Sequence, residues 1–297
     1  MYLPNLKHLR YLVTLHQHQH FHKAAQACFV SQSTLSSAII KLEQQLGCQL
    51  IERDNKSFLF TSQGHEFVEK ARQLLVSAHD LVNFAKQQGQ SNGGVLNIGC
   101  IPTIAPYLLT NLVPACQREL AHVMMYFRED TTDNLLQMLK NGDLDLVILA
   151  LPIAHSGFES KVVGRDHFYA AGEPNLMAKF SKTQDYQCLP EHSVFLLSNE
   201  HCLTKHAISA CKLADTSRIN PFSASSLATL VQMTAYHQGF TFLPEMAVKK
   251  GFSKAEGLVV EKLSGTVYRE IALMRRSTSA ETPIYQQLSA ILINLLK

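Results

Sequence analysis

Residues 31–47 read SQSTLSSAIIKLEQQLG, and this stretch decides the fold of the first part of the chain. Its apolar positions recur four, three and four residues apart and so share one face of a helix: Leu35, Ile39, Leu42 and Leu46. Ser31 is a typical residue at the start of a helix, and Gly47 is typical of the position after its end. The opposite face carries serine and glutamine, whereas a solvated surface usually carries glutamate and lysine. We therefore predict a helix over residues 31–46 with a polar face of small side chains.

Weaker patterns on both sides of this helix complete a winged helix-turn-helix arrangement. Leu6 to Val13 and Phe21 to Cys28 have helical spacing, and the runs Gln49 to Glu52 and Ser57 to Phe60 resemble two short strands around a basic turn. Two helices, a recognition helix and a basic hairpin predict such a domain over residues 1–62. The start of the third helix would bring N–H groups and short side chains to DNA phosphates and base edges. The predicted DNA-contacting residues are Gln32, Ser33, Ser36, Ser37 and Arg53.

The composition excludes several classes of protein. Of 297 residues, 46% are hydrophobic and 17% are charged, which suffices for buried cores and excludes a disordered or acidic chain. No apolar run approaches the roughly 18 residues of a membrane span, and the N-terminus lacks a signal-peptide pattern, so we expect a cytoplasmic protein. Six basic and three acidic residues lie within residues 1–60 and the remainder is neutral, which favours an anion-binding N-terminal domain. None of the seven cysteines forms a Cys-x-x-Cys motif, so the sequence predicts no zinc ribbon or thioredoxin-like site.

A heptad pattern follows the first domain. Apolar residues spaced alternately four and three apart form one seam: Phe67, Ala71, Leu74, Ala78, Leu81 and Ala85. A core helix of a single chain is one explanation of this seam. A dimerising linker helix within residues 63–92 fits better, because alanine lets two helices approach closely and a glycine-containing hinge follows. A dimer also gives DNA binding a two-fold symmetric footprint.

Strands and helices alternate from residue 93 onward. The first predicted strands are Val95 to Cys100, Val123 to Phe127 and Leu144 to Leu151, with helices between them. This rhythm predicts a doubly wound parallel sheet. A second set of strands and helices begins at Val194, and a helix over Ile284 to Leu296 closes the chain. The fold class is therefore α/β, with lobe I at about residues 93–165 and 268–297 and lobe II at about 166–267.

The N-terminal residues resemble those of the LysR-type transcriptional regulators. The similar segments follow one another in order: Phe21-His22-Lys23-Ala24-Ala25, Ser31-Gln32-Ser33-Thr34-Leu35-Ser36, Ile40-Lys41-Leu42-Glu43, Leu46-Gly47, Leu50-Ile51-Glu52-Arg53 and Phe60-Thr61-Ser62-Gln63-Gly64. Ser33 stands where the family usually has proline, which only favours the helix start. The resemblance implies a two-lobed, periplasmic-binding-protein-like effector domain and a regulator that is not an enzyme. It also implies promoter DNA and RNA polymerase as partners, and a homodimer that assembles into a homotetramer.

The regulatory part resembles the peroxide-sensing members of that family. The similarity lies in Ile98 to Leu109, Asp145 to Leu151 and His201-Cys202-Leu203, with Cys211 nine residues beyond Cys202. It implies that hydrogen peroxide oxidises Cys202 to a sulfenic acid, which then forms a disulfide with Cys211. It further implies a peroxide pocket made by Thr103, Thr132, His201 and Arg276. Arg275 adjoins Arg276 and is the alternative for the arginine that polarises the site.

Helix geometry makes such a cysteine pair a plausible switch. Cys202 lies at a predicted helix start beside His201 and one turn before Lys205, an environment that favours the thiolate. Nine residues of helix rise about 13.5 Å, whereas a disulfide needs Cα atoms within roughly 7 Å. If residues 203–210 are helical when reduced, oxidation must unwind them, and the bond is coupled to refolding.

Other functions stay open at this point. The cysteines fit a structural role as well, in a regulator that responds to a small metabolite bound between the lobes. A thiol peroxidase or another thiol enzyme would leave residues 1–85 unexplained. Histidines alternate with other residues at positions 16, 18, 20 and 22, but side chains spaced this way at a helix–helix turn do not converge. We therefore predict neither a metal site nor a cofactor.

Overall fold

A computed structural model describes residues 3–54, 57–88, 94–153, 156–183, 186–210, 216–251, 257–263 and 267–297. The predicted redox partner Cys211 lies outside these described residues. The chain forms two compact units, Met1–Ala85 and Lys86–Lys297. Among the described helices, none has the length and apolarity that a membrane span requires.

The N-terminal unit is a winged helix-turn-helix domain, as predicted. Its elements are α1 (Leu6–His18), α2 (Phe21–Ala27), α3 (Gln32–Leu46), β1 (Ile51–Arg53), β2 (Phe58–Phe60) and α4 (Ser62–Gln88). The Ser31 hydroxyl accepts the N–H of Thr34 and caps α3, and Gly47 ends the helix with a φ of 68°. The strands pair antiparallel with Ile51 opposite Phe60. The apolar stripe of α3 is buried in the core, so the polar face of this helix points away from it.

The linker helix α4 does not present its whole seam outward. Ala71 is buried and Phe67 packs against the core of the N-terminal unit, so the start of the predicted seam belongs to its own chain. Further along, Leu74 and Leu81 are exposed, Leu81 at 69%. The part of the seam that is exposed and could meet a second helix therefore begins at Leu74, two helical turns later than the heptad pattern predicts.

The C-terminal unit alternates strands and helices around one large sheet. Its strands are β3 (Val95–Cys100), β4 (Met124–Glu129), β5 (Leu146–Leu151), β6 (Phe158–Gly172), β7 (Val194–Leu197), β8 (Ile219–Ala224), β9 (Phe240–Pro244), β10 (Val259–Lys262) and β11 (Tyr268–Arg276). Its helices are α5 (Ala105–Glu119), α6 (Thr132–Asn141), α7 (Pro174–Thr183), α8 (Cys202–Ala210), α9 (Leu227–Tyr236), α10 (Glu245–Lys249) and α11 (Pro283–Leu295), with short 3-10 turns at Tyr186–Cys188 and Thr216–Arg218.

The sheet is mixed and not wholly parallel, which corrects the sequence-based prediction. In the described residues the strand order is β4-β3-β5-β11-β6-β9-β7-β8, with β10 also paired to β6. The pairs β3–β4 and β3–β5 are parallel, and so are β7–β8 and β7–β9. The long strands β6 and β11 are antiparallel to each other and join the two parallel halves.

Each half of the sheet has its own apolar core. One core lies around β3, β5, α5 and α11, and we call this half lobe I. The other lies around β7, β9, α7 and α9, and we call it lobe II. Strand β6 contributes to both cores, with Val163 in lobe I and Phe168 in lobe II, so Asp166 and Arg269, its paired residue on β11, lie where the lobes meet.

Candidate functional site

The polar face of α3 carries most of the predicted DNA-contacting residues. Gln32, Ser33 and Ser37 are exposed and Ser36 is half-buried. The hydroxyl of Ser33 lies 2.9 Å from the Ser31 hydroxyl, so the capping residue and its neighbour form one polar surface at the helix start. An exposed helix start with short hydroxyl side chains can approach phosphate and base edges closely.

Arg53, the predicted basic residue of the wing, forms an ion pair within its own domain. Its Nη2 lies 3.4 Å from Oε2 of Glu43 on α3. The other oxygen of Glu43 accepts the backbone N–H groups of Leu50 and Ile51. Glu43 thus fixes the strand of the wing to the recognition helix, and Arg53 presents a partly exposed guanidinium beside it.

Cys202 is the first residue of α8 in lobe II. Its side chain is half-buried and packs against the core of lobe I. The start of α8 is fixed by the buried Thr204, whose hydroxyl donates to the carbonyl oxygen of Leu197 at 2.8 Å.

A cavity of about 550 Å³ lies beside Cys202, between the two lobes. Its lining comes from α6, from the end of β5 and the segment after it, from the turn before α8, from α8 and from β11: Thr132, Asp133, Leu136, Leu151, Pro152, Ile153, Asn199, Glu200, Cys202, Lys205, His206 and Tyr268. The structure thus brings the predicted residues Cys202 and Thr132 to one cavity wall. Thr103 and His201 are buried, and neither lines this cavity.

A buried ion-pair network contacts Thr103. Arg269 on β11 is 1% exposed and donates to the Thr103 hydroxyl at 2.7 Å and to the Thr103 carbonyl at 2.9 Å. The same guanidinium donates to Oδ2 of Asp166 on β6 at 2.9 and 3.0 Å. The second carboxylate oxygen of Asp166 accepts the N–H of Met246 on α10 at 3.1 Å. Because Arg269 uses the oxygen of Thr103 as acceptor, the hydroxyl keeps its own hydrogen to donate.

Arg276, which the resemblance assigned to the peroxide pocket, is buried and does not line the cavity beside Cys202. Its Nη1 donates to the backbone carbonyls of Leu139 and Leu144, which hold it at the C-terminal end of α6. Arg275, the alternative, pairs with Glu159 at 2.5 Å and does not line the cavity either. The guanidinium that contacts Thr103 is Arg269, which the sequence analysis missed. The sequence did contain a signal for Arg269, which is a charged residue inside a buried central strand. Such a charge requires a partner in the interior.

Burial or a position away from the cavity distinguishes the other described cysteines from Cys202. Cys100 and Cys116 are buried, and burial raises the pKa of both thiols, that of Cys116 to about 11. Both should therefore stay protonated and unreactive. Cys188 is exposed but does not line the cavity. Cys202 is thus the described cysteine that combines partial exposure with a position on the cavity wall.

Comparisons with known proteins agree with this architecture. Residues 6–65 match the model of the bacterial regulatory helix-turn-helix protein, lysR family, and residues 89–297 match the LysR substrate binding domain. The HTH-type transcriptional regulator EstR of Acinetobacter baylyi is 36% identical over 292 residues, which cover 98% of this chain and 95% of EstR. The DNA-binding transcriptional dual regulator OxyR of Escherichia coli is 36% identical over 293 residues, covering 96% of this chain and 93% of OxyR. The solved reduced regulatory domain of OxyR2 from Vibrio vulnificus is 46% identical, with a TM-score of 0.66, and covers 70% of this chain and 98% of that domain.

Proposed function

Because the chain belongs to the LysR family of transcriptional regulators, we propose that it binds promoter DNA and senses hydrogen peroxide through Cys202. Oxidation of Cys202 leads to a disulfide with Cys211 and alters the activation of oxidative-stress promoters. The observation that carries this proposal is the position of Cys202, half-exposed on a cavity wall at the start of α8. The similarity to OxyR and to the reduced OxyR2 domain supports it.

The proposed reaction has two steps. The Cys202 thiolate attacks one oxygen of the peroxide, the O–O bond breaks, and the second oxygen leaves as hydroxide and is protonated to water. The Cys211 thiol then attacks the Cys202 sulfenic acid, which forms the disulfide and releases a second water. The cysteine is oxidised and the peroxide is reduced, and no cofactor is required.

Polar groups near Cys202 have defined parts in this proposal. Thr132 on the cavity wall offers a hydroxyl hydrogen that can hold a peroxide oxygen, and the resemblance to the peroxide-sensing regulators assigns the same part to the buried Thr103 beside Arg269. The positive charge of Arg269 favours the hydroxide that leaves. His201, which precedes Cys202, is buried and keeps solvent from the start of α8.

The fold of α8 couples this chemistry to a change of shape. Cys202–Ala210 is helical, and the eight residues from Cys202 to Ala210 rise about 12 Å, whereas a disulfide needs Cα atoms within roughly 7 Å, so the proposed bond to the next residue requires this helix to open. Formation of the bond therefore unwinds α8 and removes Cys202 from lobe I, where it packs. That rearrangement changes how the paired DNA-binding domains of the proposed dimer bind promoter DNA. The dimer assembles further into a tetramer that works with RNA polymerase.

A peroxide dose series read by promoter output tests the proposal. Cys202→Ser should abolish the response, because a serine hydroxyl supplies no comparable nucleophile. Cys211→Ser should still react but stop at the sulfenic acid or at mixed disulfides. Cys188→Ser is the matched control, since it removes an exposed cysteine outside the cavity and should respond like the unmodified chain. A Cys202→Ser variant that responds normally would remove the peroxide mechanism.

A regulator of a small metabolite is the second candidate. The cavity of about 550 Å³ is more than ten times the roughly 30 Å³ of a water molecule and exceeds what peroxide needs. EstR, a LysR regulator that is not described as a peroxide sensor, is as similar in sequence as OxyR. In this case the Cys202→Ser variant keeps its promoter response, and small molecules that fill the cavity raise the melting temperature of the reduced protein.

A further inference from the structure

The helix that carries Cys202 is tied to lobe I by a histidine one turn further along. His206 lies four residues after Cys202 in α8, so the two side chains share one face of the helix. The Nε2 of His206 is 3.1 Å from the carbonyl oxygen of Pro152, which follows β5 in lobe I. A carbonyl oxygen can only accept, so Nε2 carries the hydrogen and the imidazole joins the two lobes.

The remainder of this imidazole is enclosed. His206 is 8% exposed, and its Nδ1 is buried without a hydrogen-bond partner among the described residues. Burial lowers the pKa of His206; the bond to Pro152 raises it, and the charge of Arg269 lowers it further. A neutral ring with its hydrogen on Nε2 therefore fits this site, and that single N–H is used for Pro152.

We propose that His206 is a positioning residue of the switch, whose bond to Pro152 holds α8 against lobe I while Cys202 is reduced. The inference rests on the proposed disulfide between Cys202 and Cys211. His206 lies four residues after the first cysteine and five before the second, in the middle of the segment that must unwind. Unwinding takes His206 away from Pro152, so the bond stabilises the dithiol form and not the disulfide form.

The size of the effect follows from the strength of one hydrogen bond. Loss of a bond of ordinary net strength changes an equilibrium constant by about 3- to 10-fold. Without it, the dithiol–disulfide equilibrium shifts toward the disulfide by that factor. For a two-electron couple this makes the midpoint potential about 14 to 30 mV more negative.

The test measures that potential in three variants of the full chain. His206→Phe keeps a ring of similar size and removes the donor, so the shift should appear. His206→Gln can place an amide N–H near the position of Nε2, so the potential should return close to that of the unmodified chain. His122→Phe, at an exposed histidine between α5 and β4, is the matched control and should cause no shift. Each chain is equilibrated in dithiothreitol or glutathione buffers, and its thiols are then alkylated and counted by mass.

Each outcome decides a different point. Equal midpoint potentials for the His206→Phe variant, the His206→Gln variant and the unmodified chain would overturn the inference. If all three chains still formed the disulfide, the proposed function would stand. Absence of any disulfide in the unmodified chain after peroxide would overturn the proposed function itself. Should His206→Phe fail to fold, diethyl pyrocarbonate labelling of the unmodified chain gives the answer. His206 should be protected in the reduced form and labelled after oxidation, and equal labelling in both forms would also overturn the inference.

Discussion

Removal of the Arg269 guanidinium is the change whose energy follows most directly from the structure. Arg269 and Asp166 are both almost fully buried, at 1% and 2% exposure, and their closest atoms are 2.9 Å apart. The pair joins the two long strands β6 and β11 where the lobes meet. Arg269→Met fills much of the same volume but leaves the Asp166 carboxylate buried without its counter-charge. It also removes the donor to Thr103.

The expected loss is large for a single substitution. Breaking a buried ion pair by removing one partner costs about 3–5 kcal/mol, because the remaining charge is uncompensated. For a unit the size of residues 86–297, about 2–4 °C of melting temperature accompanies each kcal/mol, so the transition should fall by about 6–20 °C. Adding Asp166→Asn removes the stranded charge and keeps an acceptor for the N–H of Met246. The double variant should therefore recover at least half of the loss.

Differential scanning calorimetry of the full chain measures this effect. The matched control is Lys249→Met, which breaks a surface pair with Glu245 at 3.2 Å and should change stability by less than about 0.5 kcal/mol. A melting temperature of Arg269→Met within about 3 °C of the unmodified chain would refute the reasoning. So would a double variant that is less stable than Arg269→Met alone, since the stranded carboxylate would then not be the cause.

Three further changes test other parts of the account. Ser37→Glu places a carboxylate on the polar face of α3 and should weaken operator binding at least about 10-fold in a gel-shift series, whereas Ser77→Glu on α4 should not. Leu74→Glu together with Leu81→Glu puts like charges on the exposed part of the seam, so sedimentation should show loss of the dimer; a fully dimeric double variant would contradict the seam. Burial, and next the neighbouring His65, lower the pKa of His16 below its ordinary value of 6.5. The unfolded chain therefore takes up this proton at a higher pH than the folded chain, so folding stability is kept above pH 6.5 and is lost as the pH falls below it. His16→Gln should show a smaller drop in melting temperature between pH 7.5 and pH 5.5, and an unchanged drop would exclude His16 as its source.

Local signals explain why the N-terminal fold could be predicted. The hydroxyl of Ser31 and the φ of Gly47 fix both ends of α3 within a few residues of chain, and the apolar stripe between them fixes its buried face. The seam of α4 was predicted less well. Phe67 has the right spacing for a dimer contact, yet it packs on its own core because that core lies next to the helix start. Spacing alone does not tell which surface a residue meets.

Contacts between distant parts of the chain explain what the sequence did not reveal. Strand β6 pairs with β9, β10 and β11, and no local pattern marks where its fifteen residues change partners. Arg269 and Arg276 are both buried on β11, and their sequence context does not show which of them meets Thr103. That contact joins residues 166 positions apart, so it depends on how β3 and β11 are placed in the sheet.

Peptide mapping of the full-length chain after one equivalent of hydrogen peroxide tests the central claim most directly. Thiols that remain are alkylated, and disulfide-linked peptides are identified by mass before and after reduction. We expect a linked pair that contains Cys202 and Cys211, while the buried thiols of Cys100 and Cys116 remain unoxidised. Recovery of Cys202 as a free thiol, with peroxide consumed at another cysteine or not at all, would contradict it.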